Sequence, residues 1–397
     1  MVSKNQKYSK SLRIYQVASL LRALWFGMFI SIIFLKFVGL NDFAIAVAHL
    51  IMGVSIFIFE IPTGFFADKY GFKDSIVLSY AFIFLAFSSL VASAFYGAWL
   101  ALIVAPLMFG IHYAFSSGAS SAYVFSIFKI NKNKKGYLRF NSHLRFYTSI
   151  LTAIAAIVGA YLYVINPVYP YAIQAGLMVV AIIFVLFLEK LPRSEIKVEK
   201  FLNQVRSSLK VFKKHSVIIK LFVFLFIVNA SYIFFLHLTD QSFWLEKGLS
   251  IELIGILGAI VLIIEGGLTL LSPKILSYFG ERKAYLILAV CAMIVPILLA
   301  YSQNFILIAL FSGLMFALAS IISHIFDYSL QLRLNDATRA TTASIGNMFV
   351  SLGHKLSLVG VGYLLVQITY SFSLVLFALT LGSVAVLFAI FVLRKME

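Results

Sequence analysis

Charged residues are scarce in this chain of 397 residues. They make up 12% of the sequence, whereas apolar residues make up 62%. Soluble domains carry about 25% charged and about 45–50% apolar residues. This composition excludes a soluble globular fold. It predicts an integral membrane protein with room for many spans of about 20 residues and for almost no extramembrane domain.

Cysteine is nearly absent too, because Cys291 is the only one. Disulfides and cysteine-based metal sites are therefore excluded. No group of His, Asp or Glu has metal-ligand spacing, and the sequence contains no Walker, Rossmann or serine-nucleophile motif. We predict a protein that is not an enzyme and that binds no metal and no cofactor.

The net charge of +17 raises the question of nucleic-acid binding. The basic residues, however, lie in connections between apolar runs, and mostly in every second connection. This is the pattern of the positive-inside rule, so it predicts membrane topology and no nucleic-acid partner. It places both termini in the cytoplasm and an even number of spans in the cytoplasmic (inner) membrane. The basic N-terminus leads into a first helix that we interpret as uncleaved.

Twelve apolar runs are long enough to cross the bilayer, and they predict an all-α fold. They are 14–36, 43–66, 75–95, 99–128, 142–165, 171–189, 217–240, 251–275, 284–301, 306–329, 341–366 and 371–393. The longest connection, 190–216, places apolar side chains on one helical face among basic residues. It predicts an amphipathic helix on the inner leaflet, with a solvated basic linker as the alternative. Residues 1–189 and 217–397 then form two six-helix bundles.

A weak internal repeat supports this division. ADKYGFKDSIVLSY after the second run aligns with LSYFGERKAYLIL after the eighth, with Gly71 opposite Gly280. Ser277 stands where the first copy has Asp68. The alignment predicts a duplicated six-helix unit in which only the first copy keeps the acid.

Charged side chains inside the spans are expected to face protein or water, because a charge at the bilayer centre costs about 3 kcal/mol. Arg22 and Glu60 lie at similar depths, so we predict that they pair. The pair either couples to protons or is purely structural. The second candidate pair is Glu265 with Lys355, and the alternative role for Asp327 is to cap its helix or to contact the basic loop that follows. The candidate cavity or substrate residues are His112, Arg145, Asp240, Glu265, His324, Asp327 and Lys355.

The stretch GFFADKYGFK, residues 64–73, resembles the loop motif of the major facilitator superfamily through Gly64, Asp68, Lys69, Gly71 and Lys73. EIPTG, residues 60–64, is similar to a bacterial subgroup of drug or small-molecule exporters. The resemblance implies twelve spans, alternating access and a monomer. Two features depart from it: serines replace acids common in the fourth helix of the subgroup, and the antiporter signature of the fifth helix is absent.

The loop motif also has a physical interpretation. Gly64 would allow close helix approach, as small residues do in membranes. Asp68 could accept hydrogen bonds from the N-terminus of the helix near Thr341 and so hold an inner gate shut.

Together these observations predict a secondary transporter that exports small amphipathic molecules in exchange for protons, with Glu60 as the proton-binding group. An alternative is a carrier of an organic anion such as a siderophore or metabolite, suggested by Arg22, Arg145 and Lys355. A third possibility, from another class, is a membrane receptor that transports nothing.

Overall fold

The computed structural model describes residues 4–130, 134–191, 216–333 and 339–391. All regular structure in these ranges is helical, so the chain is an all-α membrane protein. The amphipathic helix predicted over 190–216 lies almost wholly outside the described residues. The helices are α1 (Lys4–Ala23), α2 (Ser31–Phe37), α3 (Asp42–Tyr70), α4 (Phe72–Tyr96), α5 (Ala105–Ile130), α6 (Lys134–Ile165), α7 (Tyr169–Leu186), α8 (Ser216–Phe234), α9 (Asp240–Glu246), α10 (Ile251–Thr269), α11 (Ser272–Tyr301), α12 (Phe305–Arg333), α13 (Arg339–Leu365), α14 (Tyr370–Phe377) and α15 (Ser383–Phe391).

Eleven helical segments of the described chain are long and apolar enough to cross a membrane. They correspond to eleven of the twelve predicted spans. The remaining prediction, 14–36, is interrupted, because α1 ends at Ala23 and α2 begins only at Ser31. Short turns link the two helices, with Met28 N–H donating to the Trp25 carbonyl at 3.2 Å and Ile30 N–H to the Gly27 carbonyl at 3.2 Å.

Close packing against α6 and α7 holds this break in place. A Cβ atom added to Gly159 of α6 would lie 1.8 Å from the Phe26 carbonyl oxygen, and one added to Gly27 would lie 2.6 Å from the Tyr171 ring. The Thr152 hydroxyl donates to the Ala23 carbonyl at 2.9 Å. This bond satisfies one of the carbonyls that the end of a helix leaves without an intrahelical partner. The break is therefore specified by contacts between helices.

The chain divides into two compact units, each described here by itself. Unit 1 comprises Met1–Leu40, Val47–Lys197 and Ile251–Ile256, and in it α4 packs on α5 and α7 while α1 packs on α6 and α7. Unit 2 comprises Asn41–Ala46, Val198–Ser250 and Leu257–Glu397, and in it α11 packs on α12 and α15 while α8 packs on α12 and α13.

The two aligned loops share a backbone feature. Gly71, between α3 and α4, has φ of 105°, and Gly280, which interrupts α11, has φ of 72°. Glycine adopts positive φ without the steric cost that side chains impose. The matching conformations support the predicted repeat.

We expect Gly159→Ala to destabilise the protein, since its new methyl group would overlap the backbone at Phe26. Overpacking of this kind costs about 1–3 kcal/mol. Gly176→Ala in α7 is the matched control, because a Cβ there meets nothing within 4 Å. Thermal unfolding of the purified variants measures the difference. Equal melting temperatures for the two variants would contradict the packing described for the break.

Candidate functional site

Each unit holds one membrane-embedded glutamate against a serine of a neighbouring helix. In unit 1 the Ser117 hydroxyl of α5 donates to Glu60 Oε1 of α3 at 2.9 Å. In unit 2 the Ser320 hydroxyl of α12 donates to Glu265 Oε1 of α10 at 2.5 Å. Hydrogen bonds to a charged group are stronger than neutral ones, so each serine partly compensates its acid.

The two contacts occupy equivalent places in the repeat. Their partners are 57 residues apart in unit 1 and 55 in unit 2. Two helical turns before each serine lies a glycine in close contact with the acid-bearing helix. A Cβ on Gly110 would lie 2.4 Å from Ser55 Cβ, and one on Gly313 would lie 2.7 Å from Ile264 Cβ. Sequence reasoning missed both serines, although their equivalent positions carried the signal.

The predicted pairs Arg22–Glu60 and Glu265–Lys355 are not formed in this structure. The ion pairs of Asp74 with Lys190 at 3.0 Å and of Glu281 with Arg333 at 2.8 Å involve none of these four side chains. Equal depth in the membrane does not make two side chains point toward each other.

The surroundings of Arg22 explain why the predicted Arg22–Glu60 pair does not form. Helix α1 packs on α6 and α7, not mainly on α3. The Arg22 guanidinium lies near enough to Tyr80, His112 and Tyr113 to act on them electrostatically. Glu60, in turn, is occupied by the hydroxyl from α5.

A polar cavity of about 300 Å³ lies within unit 2, where α8, α12 and α13 meet. It brings together two of the predicted candidates, Asp327 and Lys355. Its other polar residues were not predicted as site residues, although His237 and His354 stand out in the sequence as histidines inside spans. The lining residues are Leu225, Asn229, Ile233, His237, Ser323, Phe326, Asp327, Val350, Ser351, His354 and Lys355.

Lys355 is the most unusual group of this cavity. It is only 7% exposed, yet within the described ranges it makes neither an ion pair nor a hydrogen bond. The Oδ1 atom of Asn229 is also buried without a partner. His354 Nε2 must donate to the Phe226 carbonyl, 3.0 Å away, because a carbonyl only accepts. Nδ1 of a neutral His354 is then left as an acceptor.

His324 lies beside a second cavity of about 780 Å³ in the same unit, which Glu281 and Thr269 also line. Its Nδ1 lies 2.7 Å from the Ser320 carbonyl, so this nitrogen carries the proton. His324 is also near enough to Glu265 and Asp327 to interact with both electrostatically.

The remaining predicted candidates line neither of these cavities. His112 is buried, with Nδ1 2.8 Å from the Ser79 carbonyl, as expected of a packing histidine. Asp240 is buried at the start of α9 and accepts the Gln241 N–H at 2.8 Å. Arg145 is exposed on α6.

Most residues of the loop motif belong to the described part of the chain. Gly71 provides the turn, and Lys69 Nζ lies 5.2 Å from the Tyr70 ring centroid. The expectation of a close approach at Gly64 is wrong for this structure, because a Cβ there would meet nothing within 4 Å. The side chains of Asp68 and Thr341, which carry the predicted gate contact, lie outside the described residues.

Comparison with known proteins identifies the family. The sequence model of the Major Facilitator Superfamily matches residues 15–357. The chain belongs to this superfamily. It is therefore a membrane transporter and not an enzyme. No curated protein sequence matches the chain.

Solved structures agree with this family at the level of the fold. A mutant of the nucleoside transporter NupG is similar with a TM-score of 0.80 and 15% identity, over 98% of this chain and 100% of that one. A D-xylose-proton symporter is similar with a TM-score of 0.73 and 15% identity, over 96% and 97%.

We expect Lys355→Met to stabilise the ligand-free transporter, since it removes a buried charge that has no acidic partner. Replacing buried ion pairs with apolar residues is often stabilising by about 1–4 kcal/mol, and an unpaired ammonium should gain at least about 1 kcal/mol. Thermal unfolding of the purified protein is the measurement.

Lys283→Met is the control for this substitution, because Lys283 is exposed and should change stability by less than about 0.5 kcal/mol. Destabilisation by Lys355→Met of about 3 kcal/mol or more would show that Lys355 has a partner anion, and would contradict the site described here.

Proposed function

We propose that this transporter is a secondary active carrier that moves a small organic molecule by alternating access and couples that movement to protons. The cavity around Lys355 and Asp327 carries the proposal. Polar and charged side chains inside apolar helices are costly and mark substrate or ion pathways in membrane proteins. We further propose that the chain acts as a monomer in the cytoplasmic membrane, with both termini in the cytoplasm.

The two glutamate–serine contacts support proton coupling. Within the described residues, neither Glu60 nor Glu265 forms an ion pair, and the hydrogen bond that each carboxylate accepts comes from one serine hydroxyl. Binding a proton would remove the charge and its cost at this depth. Glu60 therefore stays our proposed proton-binding group, although without the predicted Arg22 partner. The similar fold of a D-xylose-proton symporter is consistent with such coupling.

The nature of the cargo follows from the cavity lining. Amphipathic exporters need broad apolar surfaces, whereas this cavity presents an ammonium, a carboxylate, an amide and two imidazoles. That lining favours a carrier of a polar organic molecule of metabolite size that bears an anionic group, which is closer to the second candidate. Proton-driven export, suggested by the EIPTG segment, remains a prediction, as does a receptor that binds without transporting.

Flux in proteoliposomes tests the proposal. The purified protein is reconstituted with a pH-sensitive dye in the lumen, and a panel of amino acids, organic acids, nucleosides and pentoses is added outside. We expect at least one solute to move protons across the membrane in the wild type. Glu60→Gln should abolish the solute-dependent proton movement, since an amide cannot release a proton.

Asp74→Asn is the matched control, because Asp74 pairs with Lys190 near the start of α4, away from Ser117. It should keep proton movement near the wild-type level. Unchanged proton coupling in Glu60→Gln would rule out this role for Glu60. A solute that binds but never enters the liposomes would favour the receptor.

A further inference from the structure

We propose that the cargo is zwitterionic: its anionic group binds Lys355 and its cationic or hydrogen-donating group binds Asp327. The inference deepens the proposed function and rests on it, because it assigns the cavity of unit 2 to the transported molecule. The observation behind this inference is that Lys355 and Asp327, which have opposite charges, line one cavity and form no ion pair with each other.

Lys355 supplies the anion-binding side. Its ammonium is almost fully buried in α13, and in the described part of the chain no acid lies within ion-pair distance of it. His354, the preceding residue, is the neighbour on which Lys355 acts electrostatically. A bound anion would stabilise a buried ammonium that has no acidic partner, and the cavity is the open space next to it.

Asp327 supplies the opposite side. It lies on α12, faces the same cavity and is exposed. His324, one turn earlier in the same helix, acts on it electrostatically. If Lys355 and Asp327 formed an ion pair, neither charge would be available to bind a ligand. No such pair is formed among the described residues. The protein thus keeps a cation and an anion unpaired in the lining of one cavity of about 300 Å³.

Uncharged groups around the cavity fit the same molecule. The buried Oδ1 of Asn229 has no donor in the structure, so it can accept a hydrogen bond from an ammonium or hydroxyl of the cargo. The volume is near the lower end of the range for small-molecule pockets, about 300–1,000 Å³. A compact zwitterion of metabolite size matches both the volume and the charges, whereas a siderophore is too large.

A simple anion or a simple cation satisfies only half of this arrangement. An acid without an amine would leave the Asp327 carboxylate facing the bound anion, and an amine without an acid would leave Lys355 unpaired. Leaving the buried Lys355 unpaired discriminates strongly against an amine that lacks an acid. Charge repulsion from Asp327 disfavours an acid that lacks an amine, so the lining selects for both charges in one molecule.

The test is a binding assay with matched ligands on the full-length protein in detergent. The probes are alanine, 4-aminobutanoate and 6-aminohexanoate, each with its acid lacking the amine and its amine lacking the acid. Three chain lengths cover different separations of the two charges. We expect at least one zwitterion to bind at least tenfold more tightly than its acid and its amine.

Two substitutions test which charged group of the ligand each side chain binds. Lys355→Met should lower the affinity of that zwitterion to the level of its amine, and Asp327→Asn should lower it to the level of its acid. Lys283→Met and Asp74→Asn, outside the cavity, should leave binding within twofold of the wild type. Thermal unfolding checks that all four variants are folded.

Binding of an acid as tightly as its zwitterion would overturn the proposal in favour of an anion carrier. Equal binding of the amine, or no binding by any zwitterion of the series, would also overturn it. Proton-coupled flux of another solute would in that case leave the proposed function standing, so the two failures are distinguishable.

Discussion

A charged side chain inside an apolar helix bundle requires a partner, water or a proton, and this requirement accounts for the contacts of the embedded glutamates. Glu60 and Glu265 each receive a serine hydroxyl from a neighbouring helix. His112 lies with its Nδ1 2.8 Å from the backbone carbonyl of Ser79 in α4, to which it donates. Lys355 departs from the rule, because it is buried and lacks an anionic partner among the described residues. We infer that its compensation comes from the cargo.

The internal repeat explains why an embedded acid with a serine partner recurs in both units. Both units retain the glutamate, the serine and the close-packing glycine two turns before it. The position one turn after the serine has diverged, since Ser121 in unit 1 corresponds to His324 in unit 2. Duplication thus preserved the packing that carries an embedded acid, while substitution around it gave unit 2 additional titratable groups.

The sequence was sufficient to predict the membrane class, the helical fold, the family and eleven uninterrupted spans, because these depend on composition and on local hydropathy. It also pointed to Glu60, Asp327 and Lys355, since charges in spans are rare. The partners were predicted wrongly, because depth along a helix says nothing about the direction of the side chain. The break after Ala23 was missed for a related reason: it depends on Gly159 and Thr152, more than 100 residues away in sequence.

The central claim is that Lys355 and Asp327 remain unpaired until the cargo arrives, and a double-mutant cycle on the ligand-free protein tests it most directly. Lys355→Met, Asp327→Asn and the double variant are unfolded thermally beside the wild type. Our account predicts additive changes in the free energy of unfolding, within about 0.5 kcal/mol, as for residues that share no contact. A coupling of about 1 kcal/mol or more would show that the two charges already stabilise each other, and would contradict the account.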